Sequence, residues 1–387
     1  MRLLLLTCAL CLSWLCQAVT VGADRFDHYL PLLEGKRVAL VVNPTSQTRD
    51  GHLLDALLAR GIHVTAIMSP EHGFRGTASA GQKVEDGTDP ATGLPVYSLY
   101  GSTKKPTAGM LAQTDVLVFD IQDVGARFYT YLSTLHYVME AAAQAGKALV
   151  VLDRPNPNGA YVAGPVLDPA FRSFVGMHPI PVLHGMTLGE LASMIRGEGW
   201  IDKAGALSLT VIPVADYKRT QPYSLPVAPS PNLPGDDAIR LYPSLCLFEG
   251  TAVSVGRGTP YPFTLIGHDK VVLGNNAIAV VPNAGAVSPK LDGTVLHARR
   301  LQSSSIHGFD ISLLVSAYQQ FTGAGEPFFT HPAFFDKLAG TDTLRQAIER
   351  GESAAAITAR WQSDLAAFIE RRAPYLLYPE DTAQNGH

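Results

Sequence analysis

Between about residue 36 and residue 185, short runs of branched apolar residues alternate with stretches whose apolar positions recur every three or four residues, and this alternation limits the possible folds more than any other feature of the chain. A run of five or six apolar residues with no polar alternation needs burial on both faces. A mostly parallel sheet covered by helices supplies that. Arg37 to Asn43 (RVALVVN), His63 to Met68, Asp115 to Asp120 (DVLVFD) and Ala148 to Leu152 (ALVVL) read as such strands, with Pro95 to Tyr100 a weaker one. Between them, Gly51 to Arg60 reads as a helix stopped by Gly61, and Phe128, Tyr131, Leu132, Leu135, Val138, Met139 and Ala142 mark one face of a longer helix that Gly146 ends. Thr187 and Glu190 have capping-box spacing for a helix running to about Arg196. Leu209 to Val214 is a further strand, and five prolines between Pro222 and Pro234 suit an ordered extended loop. Helices are expected from Asp310 and from Ser353, the second with Ile357, Trp361, Leu365 and Phe368 on one face. The change in texture places a domain boundary near residue 248, dividing 24–248 from an α/β segment at 249–387.

A chain of 387 residues that is 47% hydrophobic has material for a large core and for two domains. A formal charge of -4 leaves no basic footprint for nucleic acid. Residues 1–23 read as an export signal: Arg2 supplies the positive start, Leu3 to Ala18 is the apolar run, and both Ala18 and Ala23 offer a small residue at the cut position. The expectation is a secreted, periplasmic protein with no stable membrane insertion after cleavage. No other stretch approaches the ~20 apolar residues of a membrane span. Cys8, Cys11 and Cys16 lie in the signal, which leaves Cys246 alone in the mature chain and no internal disulfide to form.

In parallel sheets, ligands bind beyond the carboxyl ends of the strands, where the loops converge. Those positions are polar here. The first strand runs into Asn43-Pro44-Thr45-Ser46, the second into Ser69-Pro70-Glu71-His72-Gly73-Phe74-Arg75-Gly76, the DVLVFD strand into Asp120-Ile121-Gln122-Asp123 with Arg127, Tyr129 and Tyr131 beyond, and ALVVL into Asp153-Arg154-Pro155-Asn156. A short run from Ile180 to Leu183 ends in His184. Each group alone has a structural explanation; their convergence does not. Glu71, between Pro70 and a glycine-bearing turn at the mouth of a buried strand, is placed to exchange a proton with a bound molecule. The competing explanation is a surface pair with Arg75.

Several other chemistries lack their motifs. No Gly-x-Gly-x-x-Gly follows the first strand, and there is neither a Gly-x-Ser-x-Gly elbow nor a His-Glu-x-x-His pair. Ser102-Thr103-Lys104-Lys105 matches Ser-x-x-Lys without its partner motifs and reads as an exposed loop. No cofactor is called for, and no ligand spacing marks a metal site.

Six blocks in order, SPEHGFRG (69–76), DIQDVGARFYTY (120–131), DRPNPNG (153–159), HGMTLGELA (184–192), SPNLP (230–234) and LFEGTAVSVGRGT (247–259), resemble the exo-β-N-acetylmuramidases of the NamZ type. The resemblance implies a Rossmann-like N-terminal domain holding the active site, closed by a smaller C-terminal α/β domain. It also implies a glycosidase releasing N-acetylmuramic acid from the non-reducing end of peptidoglycan fragments in wall turnover. Its catalytic glutamate falls on Glu71 as general acid.

Glycoside cleavage ordinarily uses two carboxyl groups. Asp120, Asp123 and Glu249 are candidates for the second, with Asp123 first because its loop faces that of Glu71; the sugar's own 2-acetamido group is the alternative. The lactyl carboxylate of muramic acid calls for an arginine, and Arg75, Arg127 and Arg257 qualify. His72, Asp120, Gln122, Tyr129, Tyr131, Asn156, His184, Asn232 and Glu249 complete the expected binding set. The rival reading is a periplasmic module that binds muropeptides without cutting them; an esterase or deacetylase is disfavoured by the missing elbow and ligand spacing.

Overall fold

The computed structural model describes residues 19–71, 73–74 and 86–380. The first 18 residues of the expected export signal, together with His72 and Arg75, lie outside the described residues. The central sheet has seven strands in the order β5 (Gly87–Thr88), β6 (Pro95–Ser98), β4 (Val64–Ser69), β1 (Val38–Val42), β7 (Val116–Asp120), β8 (Ala148–Leu152) and β9 (Leu209–Ile212). All neighbours are parallel except β5, which runs against β6 at the edge. The six parallel strands thus follow the doubly wound order of nucleotide-binding sheets, which reverses direction between β1 and β7 and opens a crevice at their carboxyl ends.

Burial on both faces explains why the strands read as unbroken apolar runs. Ala39 and Val41 of β1 join one core with Phe119 and Val151, and Val38, Leu40 and Val42 join the other with Val118 and Val150. Helices α4 (Tyr131–Ala145) and α5 (Leu188–Gly197) cover the first face; α1 (Phe26–Leu33) and α2 (Leu53–Ala59) cover the second. A two-residue hairpin of β2 (Gln47–Thr48) and β3 (Gly51–His52) leads into α2. Gly146 ends α4 in the left-handed conformation at φ +64. The capping box of α5 is formed as its spacing predicts: Thr187 Oγ1 accepts the N–H of Glu190, and Glu190 accepts that of Thr187.

Beyond α3 (Ala108–Leu111) and α6 (Asp236–Leu245), the C-terminal part contains an antiparallel sheet, β10 (Leu265–His268), β12 (Val295–Arg300) and β11 (Asn276–Ala279) in spatial order. Five helices follow: α7 (Ser312–Ala324), α8 (Pro332–Ala339), α9 (Thr343–Glu349), α10 (Ala354–Ala359) and α11 (Gln362–Arg372). Phe321, Phe335, Trp361 and Phe368 belong to the same continuous core as Phe119 and Leu135.

Three expectations change. Ile180 to Leu183 is no sheet strand; Leu183 makes only isolated bridges to Ala126 and Ala163. Phe128 precedes the helix whose face it seemed to share. The expected helix from Ser353 is two, α10 and α11, broken at Arg360 and Trp361, although Ile357, Trp361, Leu365 and Phe368 are all buried. At the other end, Thr20 exchanges backbone hydrogen bonds of 3.1 and 2.8 Å with Ala215, Gly22 N–H donates to Asp153 O at 2.8 Å, and Ala23 is fully buried.

Candidate active site

Glu71 emerges from the end of β4, where Gly73 at φ +77 closes a turn back to Pro70 O. Its half-buried carboxylate is held by two hydroxyls. Thr130 Oγ1, at the start of α4, donates to Glu71 Oε2 at 3.0 Å, and Tyr100, just past β6, donates its phenol. Burial first, then the charge of Glu71, holds the Tyr100 hydroxyl above the ordinary tyrosine range, so it remains a donor.

The carboxylate opens on a cleft of about 60 Å³ between the two halves of the chain. Tyr129, Thr130 and Tyr131 form one wall, Ser230 of the proline-rich loop another, and Arg257 and Phe263 the C-terminal side. A larger cavity of about 250 Å³, bordered by Tyr161, Gln221, Arg240 and His307, has no carboxylate in its lining. Of the two, the smaller cleft is the one that a carboxylate lines.

Of the arginines considered for a carboxylated sugar, Arg257 lines this cleft. Its Nε donates to Glu249 Oε1 at 2.6 Å and its guanidinium lies 5.0 Å from the Phe263 ring centre. No hydrogen bond from its two terminal nitrogens is seen among the described residues, so they are available to an anion. Behind the pair, Lys290 Nζ donates to the carbonyls of Phe248, Glu249, Thr251 and Val253, and burial pulls its pKa down to about 8. Sequence reasoning did not single out Lys290, Thr130 or Tyr100. Thr130 was legible inside the DIQDVGARFYTY block; nothing in the sequence marks Lys290.

Much of the remaining expected set does structural work. Arg127 does not reach the cleft: its guanidinium is buried and donates to Pro165 O, Ile180 O, Leu338 O and Ala339 O at 2.7–3.0 Å, with burial lowering its pKa to about 9. Asp120 is fully buried in a two-pronged pair with Arg154 at 2.5 and 2.9 Å. Gln122 donates to Asp123 O and Pro155 O. Asn156 donates to Met186 O and accepts from Asn158 N–H. It also presses against Gly125, whose φ of +77 and lack of a Cβ allow an approach that any side chain would block at 2.0 Å. His184 accepts from Met186 N–H and is buried, which brings its pKa down to about 3. Asn232 donates to Gly285 O, fastening the proline-rich loop to the C-terminal half. Turns at strand ends need buried hydrogen bonds for their own backbone, and these polar side chains supply them.

Asp123 is also displaced from its expected place. Its Oδ2 accepts Gly125 N–H at 2.7 Å, its buried Oδ1 has no hydrogen-bond partner among the described residues, and burial raises its pKa to about 7. It does not line the cleft, but its charge is felt by both Tyr129 and Tyr131. Those two rings meet edge to face at 4.9 Å, and their hydroxyls converge on Pro229 O at 2.7 and 3.2 Å. The two can meet this way because Tyr131 begins α4 while Tyr129 still belongs to the loop.

Residues 38–237 match the family described as Exo-beta-N-acetylmuramidase NamZ, N-terminal, and residues 240–378 match Exo-beta-N-acetylmuramidase NamZ, C-terminal. A Peptidoglycan beta-N-acetylmuramidase NamZ of Bacillus subtilis (strain 168) is 41% identical over 384 residues, spanning 93% of this chain and 91% of that protein. Two DUF1343 family proteins of Bacteroides fragilis NCTC 9343 with solved structures are similar. One has a TM-score of 0.86 at 42% identity, covering 94% of this chain and 100% of the other; the second has a TM-score of 0.80 at 28% identity, covering 93% and 99%.

Proposed function

This chain belongs to the NamZ exo-β-N-acetylmuramidase family, and from that premise we propose how its cleft works on the end of a glycan strand. It is a glycoside hydrolase of peptidoglycan, releasing N-acetylmuramic acid from the non-reducing end of wall fragments. The observation that carries the reading is Glu71, held by Thr130 and Tyr100 at the rim of a cleft that also contains Arg257.

Glu71 donates its proton to the glycosidic oxygen as the C1–O bond breaks, which is the general-acid half of glycoside cleavage. Arg257 takes the lactyl carboxylate through its terminal nitrogens, a charge-assisted contact that N-acetylglucosamine cannot make. Tyr129, Tyr131 and Phe263 enclose the pyranose. Among the described residues Glu71 is the one carboxylate lining the cleft. That favours the substrate's 2-acetamido oxygen as the group that bonds to C1 while the leaving sugar departs with Glu71's proton. Water, giving a proton back to Glu71, then opens the cyclic intermediate.

The export expectation becomes a proposal with a defined cut. Cleavage after Ala18 leaves intact the backbone pairing of Thr20 and the buried Ala23, whereas cleavage after Ala23 removes both. We therefore place the mature start at Val19 and the protein in the periplasm.

Purified protein is incubated with para-nitrophenyl β-N-acetylmuramide beside the corresponding N-acetylglucosaminide. Release from the muramide alone is expected, and Glu71→Gln abolishes it. Undiminished release by that variant would remove Glu71 from the chemistry.

A further inference from the structure

Outside the cleft, on the far side of Glu71, a second group of rings stands partly open to solvent. Tyr100, whose hydroxyl bonds Glu71, lies 6.2 Å from Phe174 between ring centres. Phe174 stacks in turn on Tyr137 at 6.3 Å with the planes 16° apart, and Lys104 Nζ stands 4.6 Å from the Phe174 ring. All four side chains are only partly buried. They come from four different places: the end of β6, the 101–107 loop, the Ser173–Gly176 turn and the middle of α4.

The group is braced from behind. Ser133 Oγ donates to Phe174 O at 2.6 Å, and the His136 ring meets Tyr137 edge-on at 5.3 Å. His136 bonds His178 across 2.9 Å, and His178 stacks on Trp200. Lys105 pairs with Glu140 at 2.5 Å and so fixes the loop that carries Lys104. Burial of a core does not require three braced rings whose surfaces stay partly in water. A flat apolar ligand face does, since large rigid aromatics are what binding surfaces use for area at low entropy cost.

Position selects the ligand. In an exo-acting enzyme the terminal sugar fills the cleft, and the oxygen that Glu71 protonates is shared with the next sugar. That second sugar must therefore lie on the Glu71 side, where Tyr100 begins the row of rings. We propose that Tyr100, Phe174 and Tyr137 form the leaving-side subsite, taking the C–H face of the N-acetylglucosamine that departs, with Lys104 meeting the lactyl carboxylate of the sugar beyond it. The proposal rests on the muramidase reading of Glu71. It also gives a use to the Ser102–Lys105 loop, which the hydrolytic step leaves aside.

The test compares leaving groups. Wild type, Phe174→Ala, Phe174→Leu and Tyr137→Leu are assayed on the N-acetylmuramyl–N-acetylglucosamine disaccharide and on para-nitrophenyl β-N-acetylmuramide. The ratio of kcat/KM for disaccharide over nitrophenyl glycoside should fall about tenfold in each variant, mainly through KM of the disaccharide. Phe174→Leu keeps apolar bulk without a ring, so a wild-type ratio in that variant overturns the stacking role even if the alanine variant folds poorly. Lys104→Ala should lower the preference for a tetrasaccharide over the disaccharide; an unchanged preference removes the lysine from the subsite. Wild type that cleaves both substrates, with ratios unmoved in every ring variant, sinks the subsite alone. Wild type that cleaves neither sinks the muramidase reading with it.

Discussion

Glu71 and Arg257 face one cleft from opposite halves of the chain, and their side chains are separable by assay. Loss of the proposed general acid in Glu71→Gln should cost roughly 10²-fold or more in kcat on the muramide. Arg257→Ala should act on selectivity instead, lowering kcat/KM for the muramide about tenfold or more relative to a substrate lacking the lactyl group. Equal losses on both substrates would sink the assignment. Asp123 makes a prediction about stability. Its folded pKa, raised to about 7 by burial, lies above the unfolded value near 3.9, so the folded state binds the extra proton. Its contribution is fully present below about pH 4 and is lost as pH rises through about 7. Asp123→Asn keeps an acceptor for Gly125 N–H without the charge. Its melting temperature should gain on wild type progressively from pH 5 to pH 8, and parallel curves would refute the shift.

The elements show how local signals and their tertiary uses diverge. The capping box of α5 was legible from Thr187 and Glu190 alone, yet its energetic weight comes from groups far away in sequence. Thr187 Oγ1 also donates to Asp153 Oδ2 at 2.6 Å, Tyr378 donates to the same oxygen at 2.5 Å, and Arg219 pairs with Glu190 through both terminal nitrogens. Thr187→Val removes the cap and a donor to a buried carboxyl together, for an expected loss of roughly 1–2 kcal/mol in urea unfolding. The Ser353 segment shows the opposite. Its apolar spacing gave the buried face correctly, but spacing of three and four persists across a break, so α10 and α11 were read as one helix. Ile180 to Leu183 is apolar because it is buried beneath Arg127 and Ala163, not because it pairs in the sheet.

At the scale of the whole molecule, Arg127 ties the halves together. Two of its four carbonyl partners precede residue 181 and two sit at the end of α8, with Gly340 so close that a Cβ there would meet the guanidinium at 2.6 Å. Arg127→Met would leave those carbonyls buried and unpaired, at a cost of about 3 kcal/mol or more. A urea midpoint matching wild type would show that the contact is dispensable. The N-terminal segment is equally integrated, and under the proposed cut the mass of the mature protein should correspond to a chain beginning at Val19.

The sequence by itself determined the parallel sheet, the helices on its faces and the convergence of polar loops at its carboxyl edge, because strand burial and helix periodicity are written in nearest neighbours along the chain. It also singled out Glu71, since a carboxylate after a buried strand and before a glycine turn has few local uses. Tertiary structure decided which polar residues line the cleft. Asp120, Arg127, Asn156 and His184 carry the same chemistry in sequence as Glu71 and Arg257. The side chains of Asp120, Arg127 and Asn156 are tied to buried partners 30 to 212 residues away and do not line the cleft, and no local pattern encodes that distance.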